Sequence, residues 1–61
     1  MKNFIEVTKG TQKLVLNINY IMSYYVGKDS KNVTIMMFDK ELIEVKENMY
    51  EIAEKIKKAQ Q

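Results

Sequence analysis

The sequence predicts an α+β fold: a small antiparallel β-sheet of about five strands, with one C-terminal amphipathic helix packed on one face. Residues 4–46 fall into short runs rich in β-branched and aromatic side chains, separated by polar segments. The short separations suit hairpins, which favours antiparallel pairing. Residues 48–61 instead carry apolar side chains at helical spacing. A chain of 61 residues has room for a single domain, which we expect to span residues 1–61.

The first half of the chain predicts three strands. The first is Phe4–Thr8, followed by a polar hairpin loop over Lys9–Lys13 that contains a glycine. The second strand is Leu14–Asn17. Residues 17–20 predict a turn or a short helical turn, because both Asn side chains of this segment can bond their own backbone. Ile21–Val26 is the third strand.

The second half predicts two more strands and the helix. A Gly-containing polar loop over 27–32 precedes the fourth strand, Val33–Phe38. A tight connection at 39–41 leads to the fifth strand, Leu42–Lys46. Each strand should alternate its side chains between the two faces of the sheet.

The helix is predicted to begin after Asn48. This side chain can accept a hydrogen bond from the amides of the first turn, and Glu51 lies three residues on, as in a capping box. One apolar stripe is predicted to cover the sheet; it comprises Met49, Ile52, Ala53 and Ile56. We expect the last three residues, 59–61, to fray.

The fourth strand is apolar on both faces, which one helix cannot cover. Alternation assigns a core face and an opposite face to every strand. The predicted core face is Ile5, Val7, Leu14, Leu16, Val33, Ile35, Met37, Ile43 and Val45, with Ile18 and Ile21 closing one end. The predicted opposite face is Phe4, Val15, Tyr24, Met36, Phe38 and Leu42, with Met22 or Val26 beside them.

The opposite face predicts a protein interface. Aromatic and Met side chains with few charges are typical of interface cores, and a monomer that exposed them would risk aggregation. We therefore expect a homo-oligomer, a symmetric dimer or a larger closed ring, with edge-strand pairing as the alternative mode. A sheet that curls into a small barrel would instead hide these residues. A bulge in the third strand would exchange Tyr24 with Tyr25.

The residue types present argue against an enzyme and against cofactors. The chain contains no Cys and no His, so it lacks the usual zinc ligands and the usual general base near neutral pH. We therefore expect no metal site. Asp39, Glu41 and Glu44 form a small acidic cluster that is typical of a solvated turn.

One set of residues could bind a ligand. Tyr20 and Tyr25 could stack on a base while Lys28 and Lys31 hold a phosphate. The alternative is that the tyrosines pack at the core edge or in an interface. A net charge of +2 and the absence of Arg favour that alternative and argue against a nucleic-acid partner.

The chain resembles the small flagellar and swarming-motility (FlbD-like) protein family. The resemblance is carried by Phe4-Ile5-Glu6-Val7-Thr8, Leu16-Asn17-x-x-x-Ile21, Val33-Thr34-Ile35 and Ile43-x-Val45-Lys46-Glu47-x-x-x-Glu51-Ile52. It implies a compact sheet with a C-terminal helix, no catalytic residues and a motility-associated accessory role. The chain departs from the family at 39–41, where the family usually has a glycine. The same pattern is similar to short bacterial and phage proteins.

These observations predict a small non-enzymatic module that self-associates and binds another protein. The alternatives are a phage or mobile-element inhibitor, which blocks a host defence protein or sequesters a nucleotide signal, and a motility-associated accessory protein. The apolar runs are too short to cross a membrane. An acidic residue, Glu6, stands where a signal peptide would have its apolar region, so we expect a cytoplasmic protein.

Overall fold

The computed structural model describes residues 2–28 and 31–61, and they form five strands and one helix. The elements are β1 (Phe4–Lys9), β2 (Gln12–Asn17), a 3₁₀ turn (Ile18–Tyr20), β3 (Ile21–Val26), β4 (Val33–Met37), β5 (Leu42–Val45) and α1 (Met49–Ala59). The predicted α+β fold is confirmed, but the strands form two antiparallel sheets, β1–β2 and β3–β4–β5. These described elements do not close into a barrel.

The first hairpin is tighter than predicted. The strands continue to the pair Lys9 and Gln12, which leaves Gly10 and Thr11 as a two-residue turn in place of a five-residue loop. Gly10 has φ of +60°, whereas the φ of Thr11 is not positive, which is the pattern of a type II′ turn. Glycine tolerates this conformation because it has no Cβ. The predicted loop was therefore wrong in length, and the glycine decides where the chain turns.

The predicted turn after β2 is confirmed as a single 3₁₀ turn. The Asn17 side chain accepts a hydrogen bond from the Asn19 amide at 2.9 Å, and the turn ends at Tyr20. In the next loop, the described residues 27, 28, 31 and 32 lie outside the strands, in agreement with the prediction. Positions 29 and 30 of that predicted loop lie outside the described residues.

Strand β3 contains a bulge. After the bulge, each side chain points to the face of the sheet opposite to the one that uninterrupted alternation predicts. Ile21 pairs with Met37 but Ser23 pairs with Met36, so Met22 is an extra residue. Tyr24 then lies opposite the buried Ile35 and packs against the core. The prediction that Tyr24 belongs to the outer face was wrong, and the alternative in which it exchanges with Tyr25 is the one observed.

A short polar junction joins the two sheets. The Lys46 amide donates to the Thr8 carbonyl at 2.9 Å, which continues β5 toward β1 by one bond. The Glu47 carboxylate then accepts from the Thr8 amide at 2.8 Å and from the Thr8 hydroxyl at 2.9 Å. Side-chain bonds replace a strand ladder here because the chain turns away into the helix at Asn48.

The capping box of α1 is confirmed, but the buried face of the helix differs from the prediction. The Glu51 amide donates to the Asn48 side chain at 2.7 Å, and the Asn48 amide donates to the Glu51 carboxylate at 3.0 Å. Ile52 and Ala59 are buried and Ile56 packs beside them, whereas Met49 and Ala53 are exposed. Compared with the predicted stripe, the buried stripe is thus rotated around the helix axis and extends farther toward the C-terminus.

The C-terminal end of the helix is held in place. The Asn3 amide donates to the Ala59 carbonyl at 2.8 Å, and the Ala59 side chain is only 4% exposed. The prediction that residue 59 frays was wrong, because Asn3, just before β1, supplies a donor for one of the free carbonyls of the last turn.

The core lies between the two sheets and α1. Eight of the nine predicted core-face residues are buried, and the ninth, Leu14, is half-buried and packs against them. Ile18 and Ile21 also pack against the core, as predicted. Among the described residues, no helix has the length and apolar character needed to cross a membrane.

Candidate functional site

The face of the three-stranded sheet that points away from the core is organised in rows. Met36 in the central strand pairs with Ser23 on one side and with Leu42 on the other. In the next row, Thr34 lies between Tyr25 and Glu44. Directly paired residues share a face and lie close together, so Met36 and Leu42 form a local apolar cluster.

Phe38 and Tyr20 extend this face by one more row. Strand β4 ends at Met37, one residue earlier than predicted, yet the Phe38 amide donates to the Tyr20 carbonyl at 2.7 Å. The two rings lie 4.9 Å apart between centroids at an interplanar angle of 41°. This separation is within the range of favourable aromatic pairs. Tyr20 is 50% exposed and Phe38 is 62% exposed.

The bulge adds a methionine to the same surface. Ile21 and Tyr24 both face the core, so Met22 and Ser23 lie between them on the outer side. Met22 is 66% exposed. We call the surface formed by these five apolar side chains the end patch: Tyr20, Met22, Met36, Phe38 and Leu42.

The end patch is large for so small a chain. Its four most exposed members are each 50–66% accessible, and a large side chain offers about 150–200 Å² in full. Roughly 400 Å² of apolar surface is therefore open to solvent, which matches the largest patch on a typical monomer; such patches are often functional. The whole described chain exposes 4568 Å².

A turn of mixed charge borders the end patch. Asp39, Lys40 and Glu41 connect Phe38 to Leu42, and all three are exposed. The Glu41 amide donates to the Asp39 carboxylate at 3.0 Å, and Lys40 has φ of +69°. This bond stabilises the turn that the sequence predicted between Phe38 and Leu42.

The structure gathers part of the predicted interface and separates the rest. Met36, Phe38 and Leu42 meet in the end patch. Tyr24 packs against the core, as described above. Phe4 and Val15 lie on the outer side of the two-stranded sheet, where they are 41% and 52% exposed. The six residues were assigned to one face because alternation along each strand carries no information on how a second sheet is oriented.

The predicted ligand-binding set does not converge. Tyr20 precedes β3 and Tyr25 lies near its other end, about 17 Å farther along an extended strand. Tyr20 stacks on Phe38, whereas Tyr25 lies across from Thr34. Lys28 and Lys31 are exposed and follow the end of β3 that carries Tyr25. Within the described chain, the four side chains are therefore divided between two ends of the sheet.

A small groove runs between β1 and the helix. It encloses about 190 Å³ and is lined by Phe4, Ile5, Glu6, Lys55, Lys58 and Ala59. Sites for drug-sized ligands enclose about 300–1,000 Å³, so this groove is small for such a ligand. The Glu6 carboxylate lies 4.0 Å from the Lys13 ammonium, and both side chains are more than half exposed.

Glu47 is the described titratable group with a resolved perturbation. Partial burial raises the pKa of its carboxyl. The hydrogen bonds from the Thr8 amide, from its own backbone amide and from the Thr8 hydroxyl, together with the Lys55 charge, outweigh burial and hold the pKa below its ordinary value of 4.5. This group acts in the junction between the sheets. The described residues contain no cluster of three or more acidic, His or Cys side chains placed to hold a metal ion.

Two features of the structure were not predicted from the sequence. Tyr20 was assigned to a ligand set, but its partner Phe38 places it in the end patch. The junction of Thr8 with Glu47 joins residues 39 positions apart, and no local pattern marks it.

Comparison of the chain with protein-family models, with characterised proteins and with solved structures gave no match.

Proposed function

We propose that the chain is a small non-enzymatic protein-interaction module that self-associates through the end patch and binds a further protein. The observation that carries this proposal is the exposure of Tyr20, Met22, Phe38 and Leu42 on one side of a sheet whose other side already holds the core. Water contact with so much apolar surface is unfavourable, and a partner surface removes it.

The magnitudes favour association. Covering about 400 Å² of apolar surface on each copy contributes about 10 kcal/mol per copy at 25 cal/mol per Å². Association costs on the order of 4–15 kcal/mol in lost translational and rotational freedom, with further losses from ordering side chains. The balance is about 5–16 kcal/mol before side-chain ordering is subtracted, and micromolar binding requires about 8 kcal/mol.

A second copy of the chain fits the border of the patch. The connecting turn carries both signs of charge, with Asp39 and Glu41 flanking Lys40. In a two-fold arrangement the same patch meets itself, so the lysine of each copy can approach an acid of the other copy. A turn with a single sign of charge would repel its symmetry mate. The predicted motility role and the predicted block of a host defence protein both require protein binding, whereas sequestration of a nucleotide signal does not; all three stay predictions from the resemblance.

The experiment is a substitution within the end patch. Phe38→Lys places a charge where the proposed contact excludes water, so we expect association to weaken at least tenfold while helix content stays unchanged. Sedimentation or light scattering over a micromolar concentration series measures the mass, and circular dichroism measures the helix. Tyr50→Lys is the matched control, because Tyr50 is a 75% exposed aromatic residue on the helix, outside the patch.

The two variants separate the outcomes. Unchanged association in Phe38→Lys, or equal loss in Tyr50→Lys, contradicts the proposal. Loss of the fold in Phe38→Lys would show that Phe38 is needed for the core, and this too contradicts the assignment of Phe38 to a contact surface.

A further inference from the structure

The free edge of β3 is a second place where this chain can meet a copy of itself. In the three-stranded sheet, β3 pairs with β4 on one side only. Val26 is 48% exposed although it lies opposite the fully buried Val33, and its neighbour Tyr25 is 41% exposed. Both residues are therefore accessible to solvent at this end of β3, while α1 also contacts β3.

The hydrogen-bond pattern identifies which backbone groups point outward. The Phe38 amide donates toward β3, and the next residue back, Met37, donates away from β3 to the Glu41 carbonyl. Because antiparallel ladders alternate, Met36 and Thr34 bond toward β3 while Ile35 and Val33 bond toward β5.

The partners of Ile35 and Val33 on β3 are Tyr24 and Val26. Their amides and carbonyls therefore point away from β4. Within residues 2–28 and 31–61, no backbone hydrogen bond outside the strand ladders involves Tyr24 or Val26.

This edge lacks the residues that commonly prevent pairing. Strand β3 reads Ile-Met-Ser-Tyr-Tyr-Val, with no charge and no proline. Charged side chains, proline and bulges are the usual means of protecting an edge. Strand β2, an outer strand of the two-stranded sheet, carries Lys13. The bulge at Met22 interrupts only the first half of β3, so Ser23 to Val26 form a regular segment.

We propose that β3 pairs antiparallel with β3 of a second copy around a two-fold axis at Tyr25. In this register Tyr24 lies opposite Val26 of the partner subunit, and the outward groups of both residues meet, forming about four backbone hydrogen bonds. The two Tyr25 rings then face each other on the outer side, where aromatic cross-strand pairs are favourable. The two sheets join into one continuous sheet.

This pairing rests on the proposed self-association but uses a different surface. The end patch and the β3 edge are two separate two-fold contacts, so a chain that uses both does not stop at a dimer. We expect the wild-type protein to form a tetramer or a longer assembly at high concentration. Removal of either contact should leave a dimer, and removal of both should leave a monomer.

The test substitutes Val26, whose amide points away from β4. Val26→Pro removes the outward donor without breaking the ladder to β4. Val26→Thr is the matched control, since it keeps both the donor and the β-branched shape. We expect Val26→Pro to reduce the largest assembly to a dimer by sedimentation velocity, Val26→Thr to match wild type, and Val26→Pro with Phe38→Lys to be monomeric.

The outcomes distinguish the two contacts. A wild-type mass in Val26→Pro, or an equal loss in Val26→Thr, overturns the edge pairing. If Val26→Pro lowers the mass while Phe38→Lys does not, the end-patch proposal fails and the edge pairing stands.

Amide exchange in the wild-type protein tests the pairing without a substitution. The Tyr24 and Val26 amides should exchange about tenfold more slowly in concentrated than in dilute protein, because pairing protects them. Exchange at these two amides that does not depend on concentration overturns the proposal even if Val26→Pro fails to fold.

Discussion

The Glu47 side chain makes hydrogen bonds to β1 that a neighbouring strand would otherwise make. It lies two residues after the end of β5, and its two carboxylate oxygens accept from the amide and the hydroxyl of Thr8. A hydrogen bond to a charged acceptor is stronger than a neutral one, and the amide would otherwise lack a strand partner. The junction thus joins β1 to the segment between β5 and the helix.

The lowered pKa of Glu47 predicts a loss of stability in acid. A carboxyl whose folded pKa is depressed contributes stability above its unfolded value, and this stability is lost as the pH falls through the folded pKa. We expect the free energy of unfolding to fall below about pH 4.5. Glu47→Gln should cost about 1–2 kcal/mol at pH 7 and remove the part of the pH dependence that Glu47 causes.

Urea unfolding at a series of pH values measures both effects. Glu54→Gln is the control, because it removes an acid from the helix and leaves the junction between Thr8 and Glu47 intact. Parallel pH profiles for wild type and Glu47→Gln would contradict the role assigned to the junction.

At the scale of elements, local chemistry was sufficient to predict where the helix begins, but not which face it buries. Asn48 and Glu51 are three residues apart, and the capping box depends on that spacing alone. Met49 and Ala53 fit the apolar stripe equally well in sequence, yet both are exposed. The helix is rotated because Ala59 packs down and its carbonyl accepts from Asn3, a contact with the other end of the chain.

The capping box predicts a measurable loss when its acceptor is removed. Asn48→Ala leaves the Glu51 amide without its partner, so we expect a destabilisation of about 1 kcal/mol. Asn48→Ser keeps an oxygen acceptor at the same position and should cost much less. Chemical denaturation of the two variants at neutral pH measures the difference, and equal destabilisation would show that the cap bond contributes little.

In the strands, too, the turns depend on nearby residues, whereas the register depends on packing between distant segments. The Gly10 turn and the 3₁₀ turn follow from residues a few positions apart, and the sequence indicated a turn at both places. The bulge at Met22 was foreseen only as an alternative, because the choice between Tyr24 and Tyr25 depends on which side chain the core accepts. Register in a half-buried strand is set by the packing of its partners.

At the scale of the whole molecule, one helix and two sheets enclose one core and leave the end patch open. The five residues of the patch come from the 3₁₀ turn, the bulge, β4, the segment after it and β5. Small domains bury a modest fraction of their surface, so association is a common additional source of stability.

Association through the end patch predicts that stability depends on concentration. A partner that binds only the folded chain stabilises it by mass action. We expect the midpoint of thermal unfolding to rise by several degrees between dilute and concentrated wild-type protein. Phe38→Lys should reduce this dependence, while Tyr50→Lys keeps it. Differential scanning calorimetry at several concentrations makes the comparison, and a constant wild-type midpoint would contradict self-association.

The sequence by itself determined the elements, the helix cap and nearly all of the core, because these depend on alternation and on contacts within a few residues. It also determined that apolar side chains exceed what one helix can cover. Only the tertiary structure decided that the strands divide into two sheets, that Tyr24 turns inward and that Tyr20 and Met22 join Phe38 outside. Those outcomes depend on packing between distant segments, where the free energy of the whole core outweighs local preference.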